Sequence, residues 1–182
     1  MILKFQEPQF HGLFLVISGG QCGADRGGLE AAFEMGVETG GMAPLGWRTA
    51  RGAQPELARY GLVESTSPDY QVRTRYNVGA ADGTLLICSN AQSPGSRGTF
   101  NYAKKIGKPS LTLMVYGDDG KEVLTAHAMT TAAWIVDNRI SVLNVAGNRD
   151  GYGSNFHHWA AHGIVQQALE NLRERDFLVS RT

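Results

Sequence analysis

The sequence has no excess of charge of either sign, since 17 Lys and Arg residues balance 17 Asp and Glu residues. A general nucleic-acid binder needs surplus positive charge for the phosphate backbone, so we expect no nucleic-acid partner. No apolar run approaches the ~18 residues of a membrane-spanning helix, which predicts no membrane association. Only two cysteines occur and the N-terminus has no signal-peptide pattern, so we expect a reducing, cytoplasmic compartment.

Several motifs of metal and nucleotide chemistry are also missing. The spacing Gly19-Gly20-x-x-Gly23 differs from the dinucleotide-binding G-x-G-x-x-G, and no P-loop Lys-Ser/Thr follows it. His158 and His162 stand four residues apart, but they lack the Glu of H-E-x-x-H and a third ligand, so we predict no metal site. No Ser–His–Asp or Cys–His set can be assigned from spacing, which favours binding over catalysis.

Apolar runs instead alternate with helical patterns along the chain. Strands are predicted at 13–18, 84–88, 110–116 and 140–146, with a short one within 36–44. Helices are predicted at 24–35, 69–81 with Pro68 at N1, 99–106, 122–138 and 156–175. This alternation has no break in composition and predicts one α/β domain over 1–182, a parallel sheet with helices on both faces. Residues 1–12 form a lead-in segment with an edge strand at 2–5.

The carboxyl ends of parallel strands meet at one edge of a sheet, and ligands bind there. At the first predicted strand-to-helix turn, backbone N–H groups are available to a phosphate-like anion, and glycines let it approach closely. The residues of this turn are Gly19, Gly20, Gln21, Gly23, Ala24 and Asp25. A second turn supplies N–H and hydroxyl groups from Gly95, Ser96, Gly98 and Thr99. After the last strand, Arg149 can clamp an oxyanion with two parallel hydrogen bonds.

Other interpretations of these residues stay open at this point. The glycine-rich turns also fit tight connections without a ligand. Thr99 suits a helix N-cap, and Asp25 suits a cap, a ribose hydroxyl or a metal ion. Arg48 and Arg51 lie in an irregular loop at 45–56, of a length that is often functional. We expect Arg48 to reach an anion at the first turn, whereas Arg51 fits an exposed surface residue equally well.

The motifs at 18–26, 41–48, 70–77, 82–85, 98–99 and 143–149 are distinctive in combination. Over residues 13–150 the chain resembles the molybdenum cofactor carrier family. That family is a permuted branch of a Rossmann-like superfamily, which includes lysine-decarboxylase-like phosphoribohydrolases and DNA-processing proteins. The resemblance implies a Rossmann-like three-layer sandwich, a homo-oligomer (dimer or tetramer) and a pocket for a small anionic ligand. The implied ligand is the phosphate-bearing molybdenum cofactor, molybdate or a nucleotide.

The chain departs from these relatives at a few positions. Cys22 stands where threonine is usual, and Asn148 stands where proline is expected. In the phosphoribohydrolase motif P-G-G-x-G-T-x-x-E, Ser96 replaces a glycine and Tyr102 takes the place of the glutamate. Because tyrosine cannot act as that carboxylate, we expect a binding or carrier protein.

Two alternatives remain to the carrier interpretation. The first is a nucleotide-processing hydrolase in which Asp25 or Asp82 supplies the missing carboxylate. The second is a non-catalytic oligomeric scaffold whose glycine-rich turns hold no ligand.

Overall fold

A six-stranded sheet runs through the centre of the protein, and all of its neighbouring strands are parallel. The computed structural model describes residues 11–151 and 153–179. The strands of this sheet are β1 (Leu15–Ile17), β2 (Glu38–Ala43), β5 (Leu62–Glu64), β6 (Gly83–Cys88), β7 (Ser110–Met114) and β8 (Val142–Gly147). A separate two-stranded antiparallel ribbon consists of β3 (Arg48–Thr49) and β4 (Gly52–Ala53).

In the described part of the chain, five α-helices flank the sheet and complete a three-layer, Rossmann-like α/β domain. They are α1 (Ala24–Glu34), α2 (Tyr70–Ala80), α3 (Pro94–Lys105), α4 (Lys121–Asp137) and α5 (Phe156–Glu174). Helix α5 contacts both α1 and α4, and α2 contacts α3 in a separate layer. A 3-10 helix occupies Pro55–Tyr60. Within the described ranges, no helix combines the length and apolarity needed to cross a membrane.

Strand β6 shows why the apolar runs form the centre of the sheet. All six of its residues are buried. Successive side chains alternate between the two faces of a strand. Leu85 and Ile87 accordingly pack in the large core with residues of α1, α4 and α5, whereas Leu86 and Cys88 belong to a smaller apolar cluster. Burial on both faces requires helices on both sides, as the sequence predicts.

The strand order is β5-β2-β1-β8-β6-β7. From β1 the chain winds outward to β2 and β5, and from β6 it winds in the other direction to β7. The last strand, β8, fills the gap between β1 and β6. A reversal of winding leaves a crevice beyond the carboxyl ends of the strands, here beside β1, β8 and β6.

Two predicted helix starts are wrong. Pro68 precedes the N-cap of α2 instead of occupying N1, because the Asp69 side chain accepts the Gln71 N–H at 2.9 Å. Helix α3 begins at Pro94, so Thr99 lies inside it and is not its N-cap; the Thr99 hydroxyl donates to the Gly95 carbonyl at 2.9 Å.

The loop predicted at 45–56 contains the β3–β4 ribbon and the start of the 3-10 helix, neither of which the sequence pattern indicates. Strand β5 was also not predicted. The edge strand predicted at 2–5 lies outside the described residues.

Candidate ligand-binding site

A cavity of about 520 Å³ opens at the carboxyl edge of β1, β8 and β6. We call it the switch-point cavity. Three separate turns line it, as the sequence predicts. Among the predicted site residues, the cavity is lined by Gln21, Asp25, Gly95, Thr99 and Arg149. Its volume lies in the range of pockets for small-molecule ligands.

The remaining predicted site residues take other positions. Gly20 and Gly23 line a neighbouring cavity of about 250 Å³, together with Arg51. Gly98 lines an adjoining groove between α2 and α3. Ala24 and Ser96 are buried. Arg48 is exposed on β3 and does not line the switch-point cavity. Arg51, between β3 and β4, donates to the Ser154 carbonyl at 2.9 Å and to Oδ1 of Asn155 at 2.7 Å.

Asn148 joins the second and third turns. Its side-chain carbonyl accepts the N–H groups of Ser89 at 2.9 Å and Asn90 at 2.8 Å. Its amide nitrogen donates to the hydroxyls of Ser93 and Ser96, both at 2.9 Å. The inward position of Ser96 thus serves this network rather than the cavity. A proline at residue 148, as the sequence comparison leads one to expect, would make none of these side-chain bonds.

The first turn uses most of its own backbone donors inside the protein. The Ala24 N–H donates to the Asn148 carbonyl at 3.1 Å. The Gln21 N–H points to the Asp25 carboxylate at 3.4 Å, and the Cys22 N–H donates to the Gln21 side chain at 3.0 Å. In this conformation Gln21 and Ala24 do not offer free amides to a ligand, contrary to the prediction.

Within the part of the chain that the structure describes, the start of α3 does keep backbone donors without an acceptor. Pro94 occupies N1 and has no N–H, and the Arg97 N–H donates to the Ser93 carbonyl. Gly95 and Ser96 lie between them, where amides have no acceptor within the helix and the helix dipole favours negative charge. Gly95 lines the switch-point cavity.

An ion pair between Asp25 and Arg73 forms part of the lining of the switch-point cavity. Nη1 of Arg73 lies 3.1 Å from the Asp25 carboxylate, and both side chains are nearly buried. Burial raises the pKa of Asp25, and the Arg73 guanidinium opposes that effect. Nε of Arg73 is buried and bonds to none of the described residues. The site therefore retains an unused cationic donor.

Gly19 makes room for this ion pair. A Cβ atom at residue 19 would lie 1.7 Å from Nη1 of Arg73. The glycine thus lets the guanidinium cross the turn, a role different from the predicted close approach of a phosphate. Arg73 itself was missed as a site residue, because nothing in the pattern of α2 indicates a partner in α1.

Arg149 is the second cation of the cavity. Its side chain is exposed, and within 11–151 and 153–179 it forms no hydrogen bond or ion pair. Because the Arg73 guanidinium is partly neutralised by Asp25, Arg149 supplies most of the uncompensated positive charge here. An anion is the natural complement of this surface.

Ser89 and His157 also line the cavity and were not predicted as site residues. Ser89 follows β6, and His157 lies in the first turn of α5. Asp82 occupies the opposite edge of the sheet, where its carboxylate accepts the N–H groups of Ser141 and Val142. It does not reach the cavity, which removes one of the two carboxylates considered for a hydrolase.

The model of the circularly permutated YpsA SLOG family matches residues 16–169. The chain belongs to this family. The central position of its last strand, β8, fits the permuted topology that the family's description states. The match agrees with the resemblance seen in the sequence.

A solved structure gives the same assignment. A crystal structure of a protein from Syntrophus aciditrophicus SB, named "Putative molybdenum carrier protein", is 34% identical in sequence and has a TM-score of 0.77. The match covers 87% of this SLOG-family chain and 96% of that one. No curated protein matches the chain.

Proposed function

We propose that this SLOG-family protein is a carrier that binds a small anionic ligand in the switch-point cavity. The observation that carries the proposal is that Arg149, Arg73 and Gly95, whose amide has no acceptor within α3, line one cavity. Each favours negative charge, and three separate elements supply them.

A phosphorylated ligand suits these donors. A phosphate group can accept from Arg149 and from the amide of Gly95 at once, as at other helix N-termini. The named function of the Syntrophus aciditrophicus relative supports a molybdenum compound as cargo. The ligand classes we propose are the molybdenum cofactor, molybdate and nucleotides.

Binding of these ligands is tested by calorimetry on the purified protein. We expect at least one of molybdenum cofactor, molybdate and a nucleoside monophosphate to bind. Arg149→Ala should weaken that binding about 10-fold or more, since a charged hydrogen bond contributes about 1.5–3 kcal/mol. Lys104→Ala is the matched control, because it removes one exposed positive charge from the far end of α3.

The carrier proposal fails if none of the three ligands binds. It also fails if Arg149→Ala and Lys104→Ala weaken binding equally, because the effect is then general charge and not the cavity.

We also propose that the protein acts as a cytoplasmic homo-oligomer, either a dimer or a tetramer. Support comes from large exposed apolar side chains on two helices, Met129 of α4 at 60% and Trp159 of α5 at 70%. Light scattering of the purified protein measures the assembly, and a monomer at micromolar concentration contradicts it.

A further inference from the structure

Two side chains that line the switch-point cavity, Ser89 and His157, form a hydrogen-bonded chain with the buried Asp150 behind them. Oγ of Ser89 lies 2.9 Å from Nε2 of His157. Nδ1 of the same ring lies 3.1 Å from the Asp150 carboxylate. Ser89 is 68 residues from His157 in the sequence, so only the fold brings them together. The order Ser–His–Asp and these distances match the arrangement in which a histidine activates a serine hydroxyl.

The surroundings of Asp150 determine which ring nitrogen carries the proton. Its side chain is fully buried, and it accepts the His157 backbone N–H at 2.8 Å and the His158 N–H at 3.3 Å. A carboxylate held in this way accepts hydrogen bonds, so the ring directs an Nδ1–H toward it. Nε2 is then the acceptor, and the Ser89 hydroxyl donates to it.

Ser89 is accessible to a substrate. The residue is exposed and, like His157, lines the cavity. Among the described residues, its hydroxyl has one other hydrogen-bond contact, Oδ1 of Asn148 at 3.5 Å, which is too long to compete with the histidine. The other charged or titratable groups around the cavity are Asp25, Arg73, Arg149 and Tyr70.

We propose that the protein hydrolyses a carboxylic ester in this cavity, with Ser89 as nucleophile and His157 as general base. Asp150 is a positioning residue that acts through the ring. Arg149 suits a substrate that carries a negative charge. This activity goes beyond the proposed carrier function. It rests on that function only for the preference of the cavity for a negatively charged substrate.

The reaction balances with water as the one co-reactant. Oγ of Ser89 bonds to the acyl carbon and gives its proton to Nε2 of His157, while the carbonyl oxygen becomes negative. The ester C–O bond then breaks, and the alcohol leaves with that proton. Water attacks the acyl-serine, passes a proton through His157, and releases the acid and free Ser89. The free amide of Gly95 borders the same cavity, where it favours negative charge.

The test uses an uncharged organophosphorus fluoride and an anionic p-nitrophenyl ester. We expect the organophosphorus reagent to phosphorylate Oγ of Ser89 and to release a fluoride ion. Peptide mass spectrometry identifies the labelled residue. We expect ester hydrolysis to fall to background in Ser89→Ala and at least ~100-fold in His157→Gln, in line with typical general-base effects. Asp150→Asn should shift the pH profile of hydrolysis, which a purely structural role would not do.

His162→Gln is the matched control. It changes a histidine on the same helix, and this ring pairs with Glu34 at 2.9 Å outside the cavity. It should retain labelling and hydrolysis. Circular dichroism and thermal melting of every variant confirm that it folds.

Two results would overturn the serine proposal. One is the absence of label on Ser89 in the folded wild-type protein. The other is hydrolysis by Ser89→Ala at the wild-type rate. Failure of the carrier proposal is a distinct result, because it is read from calorimetry of the wild-type protein with the three anions. A wild-type protein that binds none of them but is labelled at Ser89 contradicts the carrier proposal and supports the serine proposal.

Discussion

At the scale of single residues, the site depends on what is absent as much as on what is present. Gly19 has no side chain, and the Arg73 guanidinium occupies the space where a Cβ would stand. The arginine is thereby held 3.1 Å from Asp25. A buried ion pair of this kind is costly to break, because the remaining charge is left in a poorly solvated place.

The steric account of Gly19 predicts a coupling with Arg73. Gly19→Ala alone should displace the guanidinium and destabilise the protein by about 1–3 kcal/mol, as overpacked sites do. In an Arg73→Ala background the same change should cost clearly less, because the clashing atoms are gone. Urea unfolding of the four proteins in this cycle gives the coupling energy. Strict additivity of the two changes would show that Arg73 does not occupy the space at Gly19 in solution.

Residue identities at other turns can now be explained. Gly147 ends β8 with φ +159°, and a Cβ there would lie 2.0 Å from the Ile87 carbonyl. The next residue, Asn148, then joins the turns through its side chain. The sequence offered Asn148 only as an unexpected substitution. Its hydrogen-bond partners lie in the turn after β6 and at the start of α3, more than 50 residues away, so only the folded structure brings them to Asn148.

At the scale of secondary-structure elements, the cavity depends on the placement of α2, which carries Arg73. One buried side chain fixes this helix to the sheet. Asn77 is 1% exposed. Its carbonyl accepts the Met42 N–H of β2 at 2.9 Å, and its amide donates to the Met42 carbonyl at 3.1 Å. These two bonds tie α2 to the backbone of β2.

Loss of this anchor should weaken both stability and ligand binding. Asn77→Ala leaves two partly buried backbone groups of Met42 without these partners, at about 1–3 kcal/mol in total. Chemical denaturation measures this loss. Calorimetry should show weaker anion binding as well, since α2 also carries Arg73.

The control for Asn77 is Gln71→Ala, an exposed position on the same helix. It should change stability by less than about 0.5 kcal/mol. If both variants unfold at the same denaturant concentration, the pair of bonds to Met42 does not hold the helix.

At the scale of the whole molecule, Glu30 connects three elements and makes the stability of the fold depend on pH. It lies in α1 and contacts Nε2 of His158 in α5 at 3.1 Å and the Tyr60 hydroxyl of the 3-10 helix at 2.9 Å. Nε of Arg26 lies 2.6 Å away. Burial alone would raise the pKa of Glu30, but these hydrogen bonds outweigh it and lower the pKa to about 2.

The sign of the pH effect follows from this lowered pKa. Stability from Glu30 is complete above its ordinary value of 4.5 and disappears as the pH falls toward 2. Glu30→Gln should therefore lower the free energy of unfolding at pH 7, by about 1–3 kcal/mol. The difference in the free energy of unfolding between Glu30→Gln and the wild type should shrink as the pH falls from 4.5 to 2. Thermal or urea unfolding across that range measures it.

Glu34→Gln provides the comparison for Glu30. This residue pairs with His162, but its side chain is 63% exposed. Exposed pairs contribute little, about 0–1 kcal/mol, so its effect should be small throughout. A Glu30→Gln curve parallel to the wild type at all pH values would contradict the account.

The sequence by itself determined the layers of this protein and the edge of the sheet at which the switch-point cavity opens. Apolar runs, helical periods and glycine turns are local patterns, and burial of a two-faced strand requires helices on both sides. Strand β5 was not predicted, because a strand of three residues is too short to show a periodic pattern and two of its residues are exposed.

Only the tertiary structure decided which side chains meet in the cavity. Arg73 is 48 residues from Asp25, and His157 is 68 residues from Ser89. Their contacts follow from the strand order, in which the last strand, β8, enters between β1 and β6. Strand order is set by the packing of distant elements and has no local signature, so the convergence of turns could be predicted while the partners within them could not.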